Sequence, residues 1–139
     1  MAKKNKKIKK DYTYAVGRRK TSSARVRLFK GKKESLINGE VIGKYFSGEI
    51  ARQKWQKPFE ITNTLGKYFV SVKVVGGGKE GQLDAVLHGI ARAFSKLDPE
   101  SYRKLLKAEG LLTRDARKRQ RRMVGTGGKS RRKKQSPKR

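Results

Sequence analysis

The 139-residue chain has no cysteine, which excludes disulfide scaffolds, thiolate zinc sites and cysteine nucleophiles. No apolar run approaches the ~20 residues of a membrane-spanning helix. The start, Met1 to Lys10, lacks the apolar segment of a secretory signal and the Arg, Ser and amphipathic spacing of an organelle transit peptide. Acidic residues are scarce: 11 Asp and Glu stand against 39 Lys and Arg, for a formal net charge of +28. A compact domain with that balance repels itself unless a polyanion neutralises it. Nucleic acid fits, because Lys and Arg binding to phosphates releases condensed counterions. An anionic membrane is the other polyanion to weigh.

The charge is unevenly placed. Residues 1–10 hold six Lys and no acid, and residues 113–139 hold thirteen Lys and Arg with one acid, Asp115. The middle, 11–112, carries twenty bases and ten acids. The division is therefore a Lys-rich extension (1–10), one domain (11–112) of a size that buries a modest core, and a basic tail (113–139).

Alternation over Tyr12–Val16 and over Ala24–Phe29 predicts two strands. Between them, Gly17 to Ser23 reads as a loop in which Gly17 lets the chain turn. Its basic and hydroxyl residues suit either phosphate contact or a solvated hairpin tip. Ser35–Ile37 reads as a short strand ending in the turn pair Asn38-Gly39. One or two short helices are expected over 40–56, with Pro58 closing the segment. Tyr68–Val75 is the clearest strand, with Val70, Val72 and Val74 on one face. Leu83, Val86, Leu87, Ile90, Phe94 and Leu97 then mark one face of a helix packed on the sheet. Asp98 is a good N-cap and Pro99 suits the first helical turn, so a second helix follows. Tyr102, Leu105 and Leu106 form its expected buried stripe, and Gly110 its stop. From Thr113 onward periodicity fails, and the tail reads as extended or disordered until a partner orders it.

Gly76 to Gly81 matches GxGxxG between a strand and a helix. A dinucleotide site also needs a second strand ending in an acid about 20 residues on. That region here is Asp98-Pro99, which opens a helix. A structural glycine turn is the better reading, with amides at the helix start open to an RNA phosphate. The single His88 has Asp84 one turn away but no nucleophile nearby. No catalytic residue, metal ligand or cofactor is expected, and the chain does not read as an enzyme.

Several segments resemble, in order, the small-subunit ribosomal protein S-nine family. They are Gly17-Arg18-Arg19-Lys20-Thr21-Ser22-Ser23-Ala24-Arg25-Val26, Ile37-Asn38-Gly39, Gly76-Gly77-Gly78 through Gly81-Gln82, Gly89-Ile90-Ala91-Arg92-Ala93 and Leu112-Thr113-Arg114-Asp115-Ala116-Arg117. The resemblance implies an α/β (α+β) two-layer sandwich: a small open sheet, helices on one face, a left-handed β-α-β crossover and an extended basic C-terminal tail. It implies a cytoplasmic structural protein of the small-subunit head, bound to ribosomal RNA beside neighbouring head proteins. On that reading Arg18, Arg19, Lys20, Thr21, Arg25, Lys79, Arg114, Arg117, Arg121, Arg122, Arg131 and Arg132 are candidate ribosomal-RNA contacts. The tail would reach peptidyl-site transfer RNA through Lys138 and Arg139. Two departures stand out. The sequence closes Gln135-Ser136-Pro137-Lys138-Arg139 without the family's aromatic residue, and residues 118–120 are Lys-Arg-Gln where the family commonly has two apolar residues and an acid.

Two other readings are weaker. An accessory protein of another ribonucleoprotein, such as ribonuclease P, would share the fold but not the ordered motifs. A polybasic membrane-surface protein would need a basic segment with an amphipathic apolar face, and none is clear. A small-molecule substrate is not expected.

Overall fold

The computed structural model describes residues 11–125. The Lys-rich extension, Arg131, Arg132, Lys138 and Arg139 lie outside the described residues.

β1 (Tyr12–Arg19) and β2 (Ser22–Lys30) form an antiparallel hairpin. The short strands β3 (Leu36–Ile37) and β4 (Glu40–Val41) flank Asn38-Gly39. Then come α1 (Ile42–Tyr45), α2 (Glu49–Ile61), β5 (Tyr68–Val75), α3 (Lys79–Leu97) and α4 (Pro99–Ala108). The sheet order is β1-β2-β5-β3-β4. β5 runs antiparallel to β2 and parallel to β3. Parallel neighbours need a crossover, and α1 and α2 supply it. The result is a two-layer α+β fold.

Alternation decides which face of the sheet is covered. Ala24, Val26 and Leu28 on β2 and Val70, Val72 and Val74 on β5 all point to one face and are buried. α3 lies across it, against β1, β2 and β5, while α2 and α4 pack on α3. Phe94 is fully buried near the end of α3. Its ring meets Phe59 of α2, Tyr68 of β5 and Tyr102 of α4 edge-on, at centroid distances of 5.2, 5.7 and 5.7 Å. Aromatic pairs favour that geometry, and this one side chain joins three elements.

Several expectations are corrected. Gly17 is not a turn residue: it lies inside β1, and the reversal takes only Lys20-Thr21, with Arg19 paired to Ser22. What requires glycine at 17 is closeness. A Cβ there would overlap the Ala85 carbonyl oxygen and the Gly89 backbone of α3. The helix thus crosses β1 backbone to backbone, with Gly89 meeting Gly17 from its side.

Pro58 does not end α2. It sits inside the helix and is buried. The carbonyl its missing N–H would have served belongs to Lys54, an exposed residue. The Pro58 carbonyl is itself used, accepting from the Thr62 amide and hydroxyl at 3.2 and 2.8 Å. α3 starts four residues before Leu83, and its covered face includes Ala85, Gly89, Ala91 and Ala93. Leu97 and Leu105 are exposed, whereas Leu106 is fully buried: one residue turns a helix by about 100°, so Leu106 and not Leu105 meets the core. Asp98 caps α4 as expected, its carboxylate accepting from the Ser101 amide at 3.3 Å with Pro99 in the first turn.

Candidate nucleic-acid interface

The β1–β2 hairpin supplies the first basic group. Its two-residue turn puts Lys20 at φ 51, a left-handed conformation, and leaves Lys20 and Thr21 exposed at the tip. Arg18 is exposed in β1, and Arg25 in β2 lies on the sheet face away from α3.

Arg19 behaves differently. Its side chain is only 14% exposed and turns back onto the domain. The guanidinium stands 3.7 Å from Asp84 of α3 and 3.1 Å from Asp115, and it donates to the Arg117 carbonyl at 3.0 Å. It therefore straps the start of the tail to the helix. Arg117 reaches outward, held by bidentate bonds from Nε to Asp115 Oδ1 and from Nη2 to Oδ2, at 3.0 and 2.7 Å. These bonds, with Arg19 nearby, hold the Asp115 carboxyl well below the usual carboxylate range.

His88 makes the second strap. Its Nδ1 faces the Arg18 backbone N–H at 3.4 Å and must accept. Nε2 therefore carries the proton and donates to the Leu112 carbonyl at 3.3 Å. The ring is neutral, with both nitrogens in use. Asp84, one helical turn before it, serves Arg19 instead.

Burial pushes the His88 pKa below its ordinary 6.5, and Arg92 and Arg114 add to the shift against the Leu112 bond. As pH falls, the unfolded chain takes up this proton before the folded one does. The stability His88 contributes is therefore complete above about 6.5 and declines below it until the folded-state ring titrates too. No other imidazole exists in the chain. The urea midpoint should drop between about pH 7.5 and about pH 5.5, and His88→Gln should remove most of that drop. Equal drops in both chains would contradict the assignment.

The glycine turn packs against the hairpin. Gly76 and Gly77 have φ of 79 and 68, and a Cβ at Gly76 would stand 2.7 Å from the Thr21 carbonyl oxygen. Buried Ser22 donates to the Gly76 carbonyl at 3.0 Å. The GxGxxG segment is thus a structural turn. No side chain caps the α3 N-terminus. Lys79 bends away from it, donating to the Tyr45 carbonyl at 3.1 Å with its ammonium 3.6 Å from the Tyr45 ring centroid.

Past α4 the described chain has no further helix or strand. Leu111 and Leu112 are half-buried against the core, and Arg114, Arg121 and Arg122 are exposed. The structure thus brings Arg18, Lys20 and Thr21 together at one tip and Arg114 and Arg117 beside it through the straps. Lys79 is apart on Tyr45, and Arg25 is apart on the open sheet face. Sequence reasoning missed Asp84 and Asp115 as anchors. It also missed Arg27 and Lys73, although the alternation Arg25-Val26-Arg27 and Val72-Lys73-Val74 carried that signal.

A two-layer α+β domain with a basic, irregular segment strapped to its edge suits a structural component of a ribonucleoprotein. The sequence profile of the family described as ribosomal protein S9/S16 matches residues 17–139. The small ribosomal subunit protein uS9 of Maridesulfovibrio salexigens is 46% identical over 121 residues, covering 87% of this chain and 92% of the relative. The chain belongs to the ribosomal protein S9/S16 family and is a structural constituent of the small ribosomal subunit, acting in translation. That membership sets aside the ribonuclease P and membrane-surface readings. No helix among the described residues is long and apolar enough to cross a membrane.

Proposed function

We propose that the domain docks on small-subunit ribosomal RNA in the head, beside neighbouring head proteins, and that its tail continues to peptidyl-site transfer RNA. The role is non-enzymatic and belongs to cytoplasmic ribosomes. The proposal keeps the division into 1–10, 11–112 and 113–139, an extended tail, and a left-handed hand for the β3–β5 crossover. The observation that carries it is the strapped tail root. Arg19 and His88 fix where a segment with thirteen basic residues leaves the domain, beside the exposed Arg18, Lys20 and Thr21. A polyanion that meets the hairpin tip meets the tail root with it.

At the tip of the tail, Arg139 grips phosphate with two parallel hydrogen bonds while Lys138 offers a point charge. Pro137 lowers the ordering cost of the approach. Contact with backbone alone is blind to anticodon sequence. Small subunits rebuilt with a chain lacking Lys138 and Arg139 should assemble normally and bind peptidyl-site transfer RNA a few-fold to tens-fold more weakly. Undiminished affinity for several transfer RNAs would reject the contact. Failed assembly would give these residues a structural role instead.

A further inference from the structure

The sheet face turned away from α3 has no covering element among the described residues. In the centre of it, Arg25 of β2 stands directly opposite Lys73 of β5, and Arg27 stands opposite Tyr14 of β1 and Ser71 of β5. β1, β2 and β5 contain no Asp or Glu. Arg25, Arg27 and Lys73 make no ion pair among the described residues. Like charges directly opposite on neighbouring strands are destabilising, and here no acid relieves them.

The surface around these cations is shaped as well as charged. It is a shallow trough floored by Arg25, Arg27, Ser71 and Lys73. Tyr14 bounds it on one side and the Asn38-Gly39 turn on the other. That wall is fixed, because the Asn38 side chain accepts from the Val74 amide at 3.0 Å and donates to the Val74 carbonyl at 3.2 Å. Arg27 is pre-positioned, its guanidinium 5.3 Å from the Tyr12 ring centroid. Stacking leaves the N–H fork free for an oxyanion.

The geometry points to this trough as a second docking surface for the sugar-phosphate backbone of ribosomal RNA, separate from the hairpin tip and the tail. It rests on the ribosomal-RNA binding proposed above and adds where the sheet takes part. A polyanion removes the Arg25–Lys73 repulsion, so the fold is relieved by the ligand it binds. A flat, polar, cationic trough suits phosphate and ribose better than an apolar partner. Its contacts are with backbone and therefore independent of sequence.

The test compares the full-length chain with a full-length Arg25→Gln, Arg27→Gln, Lys73→Gln variant in binding small-subunit ribosomal RNA across a salt series. Each lost phosphate contact lowers the log–log slope by roughly 0.7–0.9, so the variant should lose about 2–3 units. An unchanged slope beside a steep parent slope would overturn the trough and leave ribosomal-RNA binding intact. A shallow slope in the parent chain would overturn both. Acylation of Lys73 in the unsubstituted chain checks the same point without any variant. Lys73 should react in free protein and be protected by bare ribosomal RNA. Protection only in the complete subunit would assign the trough to a neighbouring protein and overturn the inference.

Discussion

Replacing Gly17 with alanine should destabilise the domain more than any other single methyl group added at its glycines outside the left-handed region. The new Cβ falls on the Ala85 carbonyl oxygen and the Gly89 backbone, atoms that cannot swing aside as a flexible side chain would. α3 must lift from β1, opening the interface that buries Ala85, Val86 and Ile90. Overpacking a tight core costs about 1–3 kcal/mol, occasionally more, and backbone overlap belongs at the upper end. About 3 kcal/mol lowers the melting temperature of a domain this size by roughly 12–24 °C, readable by far-UV circular dichroism. Gly89→Ala should cost less, because its Cβ meets one methyl, Val26 Cγ2 at 2.6 Å, and clears the Gly17 backbone nitrogen at 3.1 Å, whereas the Gly17 Cβ overlaps backbone outright. Gly43→Ala is the control, with nothing within 4 Å of the new Cβ. A Gly17→Ala melt as high as that of Gly43→Ala would contradict the backbone-to-backbone crossing.

Removing residues 113–139 should change the electrostatics of RNA binding more than any substitution in the domain. The segment carries thirteen Lys and Arg and one acid, and its described part exposes Arg114, Arg117, Arg121 and Arg122. With each neutralised phosphate contributing roughly 0.7–0.9 to the log–log slope, the magnitude should fall by several units. A protein making 6–10 phosphate contacts loses about 10³–10⁵ in affinity between 50 and 200 mM salt. The truncated chain should lose far less over the same range. The truncation keeps Leu112 and hence the His88 strap, and Arg19 retains Asp84. An unchanged slope would mean that the tail makes no phosphate contacts.

Local chemistry was the legible part of this fold. Asp98 and Pro99 announce the start of α4 because capping acts within one turn. Alternation over Ala24–Phe29 and Tyr68–Val75 separates the two faces of the sheet because side chains alternate strictly. Distance was the illegible part. Gly17 suits a turn and a close approach equally well, and only the position of α3 decides between them. Pro58 reads as a stop until the carbonyl it deprives is seen to belong to exposed Lys54. Leu97 and Leu105 match the helical period but stay exposed, while Leu106 beside Leu105 takes the buried place.

The candidate site divides in the same way. Charge placed the basic residues on the surface and in the tail, and Arg18, Lys20, Thr21 and Arg114 stand exposed. Charge alone does not separate a cation that faces solvent from one that holds the chain together. Arg19 is adjacent to Arg18 in sequence, yet strand alternation sends it to Asp84 and Asp115. Lys79 lies at a helix N-terminus where phosphate is favoured, but an aromatic ring and a carbonyl in reach retain it.

The central claim is that this chain is held in the small subunit by ribosomal RNA. Its most direct test is co-sedimentation of the purified full-length chain with small subunits depleted of their own copy, at moderate salt. The account predicts near-stoichiometric recovery in the small-subunit peak, lost when salt is raised enough to screen phosphate contacts. Recovery at the top of the gradient, or equal binding to large subunits, would contradict it.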